Sequence, residues 1–411
     1  MEINLQNSMI VDLHLHSRFS RACSKNITIP ELVKWARVKG LDLLGTSDFT
    51  HPIWFEEIKK YLKSNDKGFY YYEDEKGKFP FIISGEVSLM YTQERGRRIH
   101  LVLLIPSIEI AEKINRYFDA KGRRDYDGRP IFKIPGDEFV KDMMKISKAI
   151  EIIPAHIWTP WFGVFGSKSG FDSLKDCFKD QIENIHAIET GMSSDPIMNW
   201  RIKELGDISI VSFSDSHSFW PWRLGREATI CKKTDSYFEL IEQIRKNSFI
   251  GTIETDPGYG IYHYDGHRDC GFSCSPEETK KLEGICPKCK KPLTIGVENR
   301  VEELASFEYG VKNENSKPFF KLLPLHEVIS LCFGGGLNTK KIWDVYKNLI
   351  RIFKTEFNIL LNVFEKEFLE NSIDKKLIGL ILRNREGKIN VKPGYDGVYG
   401  VPVLDEQEKL F

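Results

Sequence analysis

The chain has 411 residues, 59 Lys+Arg against 59 Asp+Glu, and a hydrophobic fraction of 41 %. That length allows two or three domains around a large buried core, and the composition excludes disorder and collagen-like structure. Charge neutrality excludes a histone-like polycation, so any nucleic-acid contact has to come from local patches. Eight cysteines are too few for a disulfide scaffold, and the crowding of four into Cys270–Cys289 reads as metal binding in a reducing compartment. Apolar runs such as Leu101–Pro106 are strand-length, so no membrane span is expected. The opening MEINLQNSMIVDL lacks a basic n-region, and a cytoplasmic protein is expected.

In chain order, Met9–Leu15 reads as a strand. Thr28 as N-cap, Pro30 in the first turn and Gly40 as the stop predict a helix over Ile29–Lys39. Leu41–Thr46, Phe81–Gly85, His100–Ile105, Glu151–Ala155, Ile185–Thr190 and Ile208–Phe213 follow as strands. Residues 119–137, rich in Gly, Pro and charge, look like an insertion loop. A unit from Gly251 to Ala305 holds the clustered cysteines. Residues 318–411 read as mostly helical, closing with the turn-rich PGYDGVYG at 393–400. Repeated β–α units predict an α/β fold with a parallel sheet, and polar residues at the ends of seven strands suggest a barrel with its chemistry there. The expected divisions are 1–230, 251–305 and 306–411.

His14 and His16 stand two apart on an extended segment, so they share a face and can chelate one divalent ion. Alone, they could equally be satisfied polar residues at a strand end. The pattern recurs, however. Asp48 and His51 follow the second strand and Glu86 the third; His100 opens the next; His156, Glu189, Asp215 and His217 end later ones. A mixed His/carboxylate set of this kind holds Zn, Mn or similar ions and suits phosphate-ester hydrolysis.

The segments DLHLHS, GEVS, HLVLL, PAH and SDSH together resemble the PHP (polymerase and histidinol phosphatase) superfamily over residues 9–230. The resemblance implies a distorted (β/α)7 barrel with two or three divalent metal ions (Zn, Mn or Mg). It implies His14, His16, Glu86, His100, His156, Asp215 and His217 as ligands, with Asp215, His217 and His16 as the catalytic residues. Where the family shows Thr-Asp-His, this chain has Ser47-Asp48-Phe49. Asp48 can still ligate, and His51 stands two residues on as a replacement. Ser20, Arg21 and Cys23 occupy the region of a further family histidine. Glu189 is expected behind the ligands, and His186 and His326 in structural roles.

Cys270, Cys274, Cys286 and Cys289 suit a closed tetrahedral structural Zn site. The three-residue gap between Cys270 and Cys274 is unusual, and His267 or His263 is an alternative to Cys274. The combination of HSRFSRACSK, GTSDFTHP, HIWTPWFGVFGSKSGF, YHYDGHRDCG, CPKCKKPLTIG and PGYDGVYG resembles the endonuclease Q family over residues 9–400. That resemblance implies DNA containing deaminated bases (uracil, hypoxanthine, xanthine) or abasic sites as partner. The phosphodiester 5′ to the lesion would be hydrolysed, leaving 3′-hydroxyl and 5′-phosphate ends.

Arg18, Arg21 and Lys25 follow the first metal motif, within reach of a phosphate. Lys121, Arg123, Arg124 and Arg129 cluster in the insertion loop, and further cations lie in 374–392. Each group reads as a phosphate-binding patch or as a solvated face. Trp158, Trp161, Phe162, Phe165 and Phe171 crowd the loop after His156, either to stack on bases or to pack beneath it. Tyr395 and Asp396 are candidates to line a base pocket, with a plain turn as the competing reading. Gln407–Phe411 begin like a sliding-clamp-binding peptide without its aromatic pair. Two other functions compete: a PHP phosphatase acting on a small phosphomonoester or nucleotide, and a non-catalytic nucleic-acid-binding module. The cysteine unit argues against the first, and the near-complete ligand set against the second.

Overall fold

The computed structural model describes residues 7–312 and 314–404. Seven strands frame the N-terminal part: β1 (Ser8–Asp12), β2 (Leu43–Gly45), β3 (Gly77–Gln93), β4 (Arg95–Ile105), β5 (Glu151–Pro154), β6 (Ala187–Glu189) and β7 (Ser209–Val211). β1, β2 and β3 are parallel neighbours, but β3 to β4 and β4 to β5 are antiparallel. β6 and β7 form a separate parallel pair. The all-parallel sheet expected from the sequence is therefore a mixed one. The cause is β3, which does not stop at Gly85 but runs for 17 residues. Its second half alternates β-favouring side chains. It then reverses at Glu94, held at φ 62, directly into β4. Glu86 and His100 consequently lie inside strands, not at strand ends.

The β6–β7 pair is a separate two-stranded sheet, joined to the rest through residues at strand ends. Ile157 N, just past β5, donates to Glu189 O at 3.1 Å. Beyond β7, Leu15 pairs with Ser216, and Ser214 N donates to Asp12 Oδ1 at 3.0 Å. These contacts tie the β6–β7 pair to the ends of β5 and β1. His14 and His16 fall past the end of β1, in the extended stretch pinned by that pairing. On the outside, α1 (Ile29–Lys39), α2 (Pro52–Tyr61), α3 (Ile108–Asp119) and α4 (Gly136–Ile146) turn apolar faces inward. α1 has the span its sequence signals predict: Thr28 Oγ1 accepts from Glu31 N at 3.3 Å, and Gly40 closes it at φ 94.

The sheet continues past the expected boundaries at 230 and 251. β8 (Ala228–Lys232) pairs antiparallel with β1, and β9 (Gly251–Glu254) pairs antiparallel with β8. After the hairpin β10 (Asp265–His267) and β11 (Phe272–Cys274), β12 (Phe319–Lys321) joins parallel to β9. The helices α5 (Leu325–Phe333), α6 (Lys340–Phe353), α7 (Glu356–Leu361) and α8 (Lys375–Arg385) follow. They dock on α1 through a buried ion pair, Lys39 Nζ to Glu356 Oε1 at 2.6 Å. Leu325 N and Tyr346 Oη also donate to Glu356, at 3.0 and 2.9 Å. Beside it, Trp35, Trp220, Trp222, Trp343, His326 and Tyr346 form one aromatic block. This close approach requires a glycine at position 40, since a Cβ there would lie 2.9 Å from Thr355 Oγ1.

The described chain ends in a hairpin, β13 (Asn390–Lys392) with β14 (Val401–Val403), around the turn-rich 393–400. Among the described residues no helix is long and apolar enough to cross a membrane. The clamp-like Gln407–Phe411 lies outside the described residues.

Candidate metal centre

Ligand atoms of mostly buried side chains collect into two groups that share Glu86: His14, His16, Glu86 and Asp215, and Glu86, His100 and His156. Glu86 comes from mid-β3 and is fully buried. Its Oε2 lies 3.7 Å from His14 Nε2 and 3.3 Å from His16 Nε2. Its Oε1 lies 2.8 Å from His100 Nδ1 and 3.1 Å from His156 Nε2. Each carboxylate oxygen therefore faces a different pair of imidazoles.

His14 Nε2, His16 Nε2 and Asp215 Oδ1 are buried and have no hydrogen-bond partner. Yet Asp215 Oδ1 is 3.6 Å from the first nitrogen and 3.0 Å from the second. Buried polar atoms of this kind are costly unless a partner is supplied. Three of them converging with a carboxylate fit a divalent cation. The backbone is held in unusual conformations here: His156 has φ 31 and Asp215 φ 46. Left-handed non-glycine residues cluster where surrounding structure fixes a site.

Two further carboxylates stand behind the imidazoles. Glu189 Oε1 accepts from His14 Nδ1 at 2.8 Å, and its Oε2 from the His156 backbone N at 2.8 Å. Asp48 Oδ1 accepts from His16 Nδ1 at 3.1 Å. Asp48 Oδ2 is taken by Ser17 N at 2.7 Å and Ser20 Oγ at 2.9 Å. Asp48 therefore orients His16 and does not join either ligand group. His51, expected as a replacement ligand, turns away: its ring stacks on Phe19 at 4.0 Å and its Nε2 meets Asp125 O at 3.3 Å. Its position as helix N-cap of α2 fixes that direction. His217 stands beside the first group, its ring 4.5 Å from His16, and donates Nδ1–H to Asp215 O at 2.9 Å.

Burial disfavours charge on all these groups, but for His14, His16, Glu86 and Asp215 the neighbours overrule it. His14 is raised well above the ordinary histidine range by Glu189, Glu86 and Asp215, and His16 likewise by Asp215, Asp48 and Glu86. Glu86 is held well below the carboxylate range by His100, Arg129 and His14, and Asp215 by His217, His14 and His16. For His100 burial wins, and it is pushed down to about 3. An arriving cation would take over the charge-balancing role of the protons on His14 and His16.

The expected nucleic-acid residues separate on burial. Arg18 is spent on Glu57 and the Ile27 carbonyl. Arg21 and Lys25 are exposed, Arg21 with its Nε 3.3 Å from Asp127 Oδ2. Trp158 is fully buried, donating Nε1–H to Asn199 Oδ1 at 2.8 Å, so it is core. Trp161 is 37 % exposed and packs on Tyr262 at 5.3 Å. Phe162 packs tilted against the His100 ring, with centroids 4.3 Å apart. Tyr395 packs on the cysteine unit through a bridge to Tyr264, and Asp396 Oδ2 accepts from Arg268 N at 2.6 Å. Arg129, grouped in the sequence with Lys121, Arg123 and Arg124 as a phosphate-binding patch or a solvated face, reaches Glu86 Oε2 at 2.8 Å. No sequence signal marks it, because the contact depends on how its loop folds over the site.

In the cysteine unit the ligand atoms that meet are those of His267, Cys270, Cys286 and Cys289. Cys274 does not join them, and its Sγ pairs with Thr279 Oγ1 at 3.2 Å. The β10–β11 register explains this. Cys274 is opposite Asp265, at the far end of the hairpin from His267, which is opposite Phe272. The Cys286 thiol is lowered despite burial, because the backbone N–H groups of Cys289 and Lys288 point at it.

Residues 324–388 match the family described as MJ0043 C-terminal domain. The protein MJ0043 of Methanocaldococcus jannaschii is 34 % identical over 59 % of this chain, a stretch that makes up 31 % of that protein. The chain therefore spans about a third of the length of that curated relative. The crystal structure of the lesion-specific endonuclease PfuEndoQ from Pyrococcus furiosus superposes with a TM-score of 0.86 at 29 % identity, over 98 % of this chain and 96 % of that one. Endonuclease Q in complex with a 27-mer duplex carrying an abasic lesion at the active site gives a TM-score of 0.85. The two sequences are 30 % identical, and the match covers 98 % of each chain, so the protein belongs to the endonuclease Q family of nucleases.

Proposed function

We propose that this chain is a metal-dependent DNA-repair endonuclease. It hydrolyses the phosphodiester on the 5′ side of a deaminated base or an abasic site. The observation that carries the reading is Glu86, whose two oxygens face two separate sets of imidazoles. A barrel-like ring around a dinuclear centre is the arrangement expected of a PHP phosphoesterase. The family match adds DNA as substrate, since the relative described with a duplex holds an abasic lesion at its active site.

His14, His16, Glu86 and Asp215 would hold one divalent ion, and Glu86, His100 and His156 a second. Ions in such a centre supply Lewis acidity to the phosphoryl oxygens and make water nucleophilic near neutral pH. The protein's part is orientation. Asp48 and Glu189 accept the Nδ1 protons of His16 and His14, which fixes the tautomers and leaves each Nε2 lone pair aimed inward. Asp215 and His217 have side chains 26 % and 33 % exposed, on the side from which substrate reaches them. Water oxygen bonds to phosphorus and the bond to the upstream 3′ oxygen breaks. That oxygen takes a proton and leaves as the 3′-hydroxyl, and the phosphate stays on the 5′ end of the lesion strand. His267, Cys270, Cys286 and Cys289 would hold one structural zinc. Trp161, Arg21 and Lys25 are the exposed candidates for DNA contact, with Tyr395 and its turn as a candidate lesion reader.

End-labelled duplexes carrying a single uracil, hypoxanthine or abasic site test this with Mn²⁺ or Mg²⁺, beside undamaged duplex and p-nitrophenyl phosphate. Cleavage confined to lesion duplexes and abolished by a chelator is expected. Turnover of the phosphomonoester alone would instead establish a small-molecule phosphatase.

A further inference from the structure

We infer that Arg129 grips the scissile phosphate over the metal centre, an inference that rests on the phosphodiesterase reading above. The five cations of residues 119–137 have different fates, and Lys133 is exposed. Arg123 pairs with Asp125 on the surface; Arg124 is mostly buried but is held by Asp119 and the Thr50 carbonyl, outside both ligand groups. Lys121 lies over the Tyr117 ring. Arg129 alone turns inward, and its Nη1 donates to Glu86 Oε2 at 2.8 Å. Its side chain remains 21 % exposed, so it is in contact both with the centre and with solvent.

The loop that carries Arg129 is tied down on both sides. Gly128 N donates to Phe19 O at 3.2 Å, and Thr50 Oγ1 to Gly128 O at 2.9 Å. Arg129 N donates to Asp127 Oδ1 at 3.1 Å, and Ser88 N to Pro130 O at 3.0 Å. The inward direction is thus set by the fold.

A guanidinium carries five N–H donors in a planar fork, and Glu86 engages only Nη1. Cations bound on both oxygens of Glu86 would compete with Arg129 for that carboxylate and favour its turning to another anion. A phosphodiester drawn to those ions presents two non-bridging oxygens and one negative charge beside it. A planar fork matches such a pair bidentately, which a lysine ammonium cannot do.

The test compares wild type with Arg129→Ala and Arg129→Lys. Binding to an abasic duplex is read by fluorescence anisotropy with Ca²⁺ in place of Mn²⁺. The linkage 5′ to the lesion is either a normal phosphodiester or an uncharged methylphosphonate. Both variants should bind the normal duplex about ten- to a hundredfold more weakly. The difference from wild type should vanish on the methylphosphonate duplex, and Mn²⁺ content should be unchanged. Wild-type binding by both variants overturns the inference. So does a loss that persists on the methylphosphonate duplex, or one that comes with loss of Mn²⁺. A wild type that leaves every lesion duplex intact in Mn²⁺ sinks the nuclease reading, while the binding comparison still decides Arg129.

Discussion

Glu86 and the residues behind the imidazoles divide the work of the centre at the level of single side chains. Glu86 touches both ligand groups, whereas Asp48 touches only His16. Glu86→Gln should therefore remove both ions, measured by elemental analysis after gel filtration, and leave no detectable cleavage. Asp48→Asn should keep both ions but weaken metal affinity or cleavage by about 10–100-fold. Equal metal content in wild type and Glu86→Gln would count against a bridged pair. The cysteine unit permits the same kind of separation. His267→Ala or Cys286→Ser should release zinc and lower the melting temperature, because structural zinc binding contributes folding energy. Cys274→Ser should retain full zinc, since its sulfur faces Thr279. Zinc loss in Cys274→Ser and not in His267→Ala would reverse this assignment. The sequence exposes these ligand types by their spacing. It leaves Cys274 against His267 open, because the decision lies in the hairpin register.

Local elements were legible wherever the cause of an element is itself local. α1 begins at Thr28 and ends at Gly40 because capping and a left-handed stop act within a few residues. β3 and β4 were not, because their length comes from pairing with each other: Glu86 sits opposite Val102, and Ser88 opposite His100. The 119–137 loop is the element where this matters for chemistry. A Cβ at Gly128 would collide with Asp48 Oδ2 and Ser20 Oγ. Gly128→Ala should push the loop, and Arg129 with it, off the centre. Displacements of about 1 Å can cost around a hundredfold in rate. A fall in cleavage of that order, with circular dichroism and metal content retained, is the expected result. Unchanged cleavage would mean the loop yields without moving Arg129.

Across the whole molecule, one sheet ties the regions together, and a buried acid pair lies within it. Glu254 on β9 accepts from Thr190 Oγ1 at 2.9 Å and Ser212 Oγ at 3.0 Å, joining β9 to the ends of β6 and β7. Burial outweighs these hydrogen bonds and raises Glu254 from 4.5 to about 8. Glu227 is raised well above 4.5 by burial and by Glu254. A raised acid binds its proton more tightly in the folded state. Its contribution to stability is thus complete below pH ~4.5 and lost as pH climbs through about 8. The thermal midpoint should fall between pH 6 and pH 9, and Glu254→Gln should flatten that fall. An identical fall in the variant would show that other groups are responsible.

The sequence by itself determined the chemistry available: which side chains can ligate, that they recur along alternating β and α segments, and that a cysteine unit interrupts the C-terminal half. These follow from residue type and short spacing, which act over a few residues. Tertiary structure alone decided which of those side chains meet. Glu86 faces His14 across 72 positions and Asp215 faces His16 across 199. Asp48 and His51, adjacent to the same motif, are turned to support or away. The reason is that ligand convergence depends on strand register and loop closure, and both are set by long-range pairing and core burial. Arg129 is the sharpest instance: one of several loop cations in the sequence, and in the fold the one whose charge enters the centre.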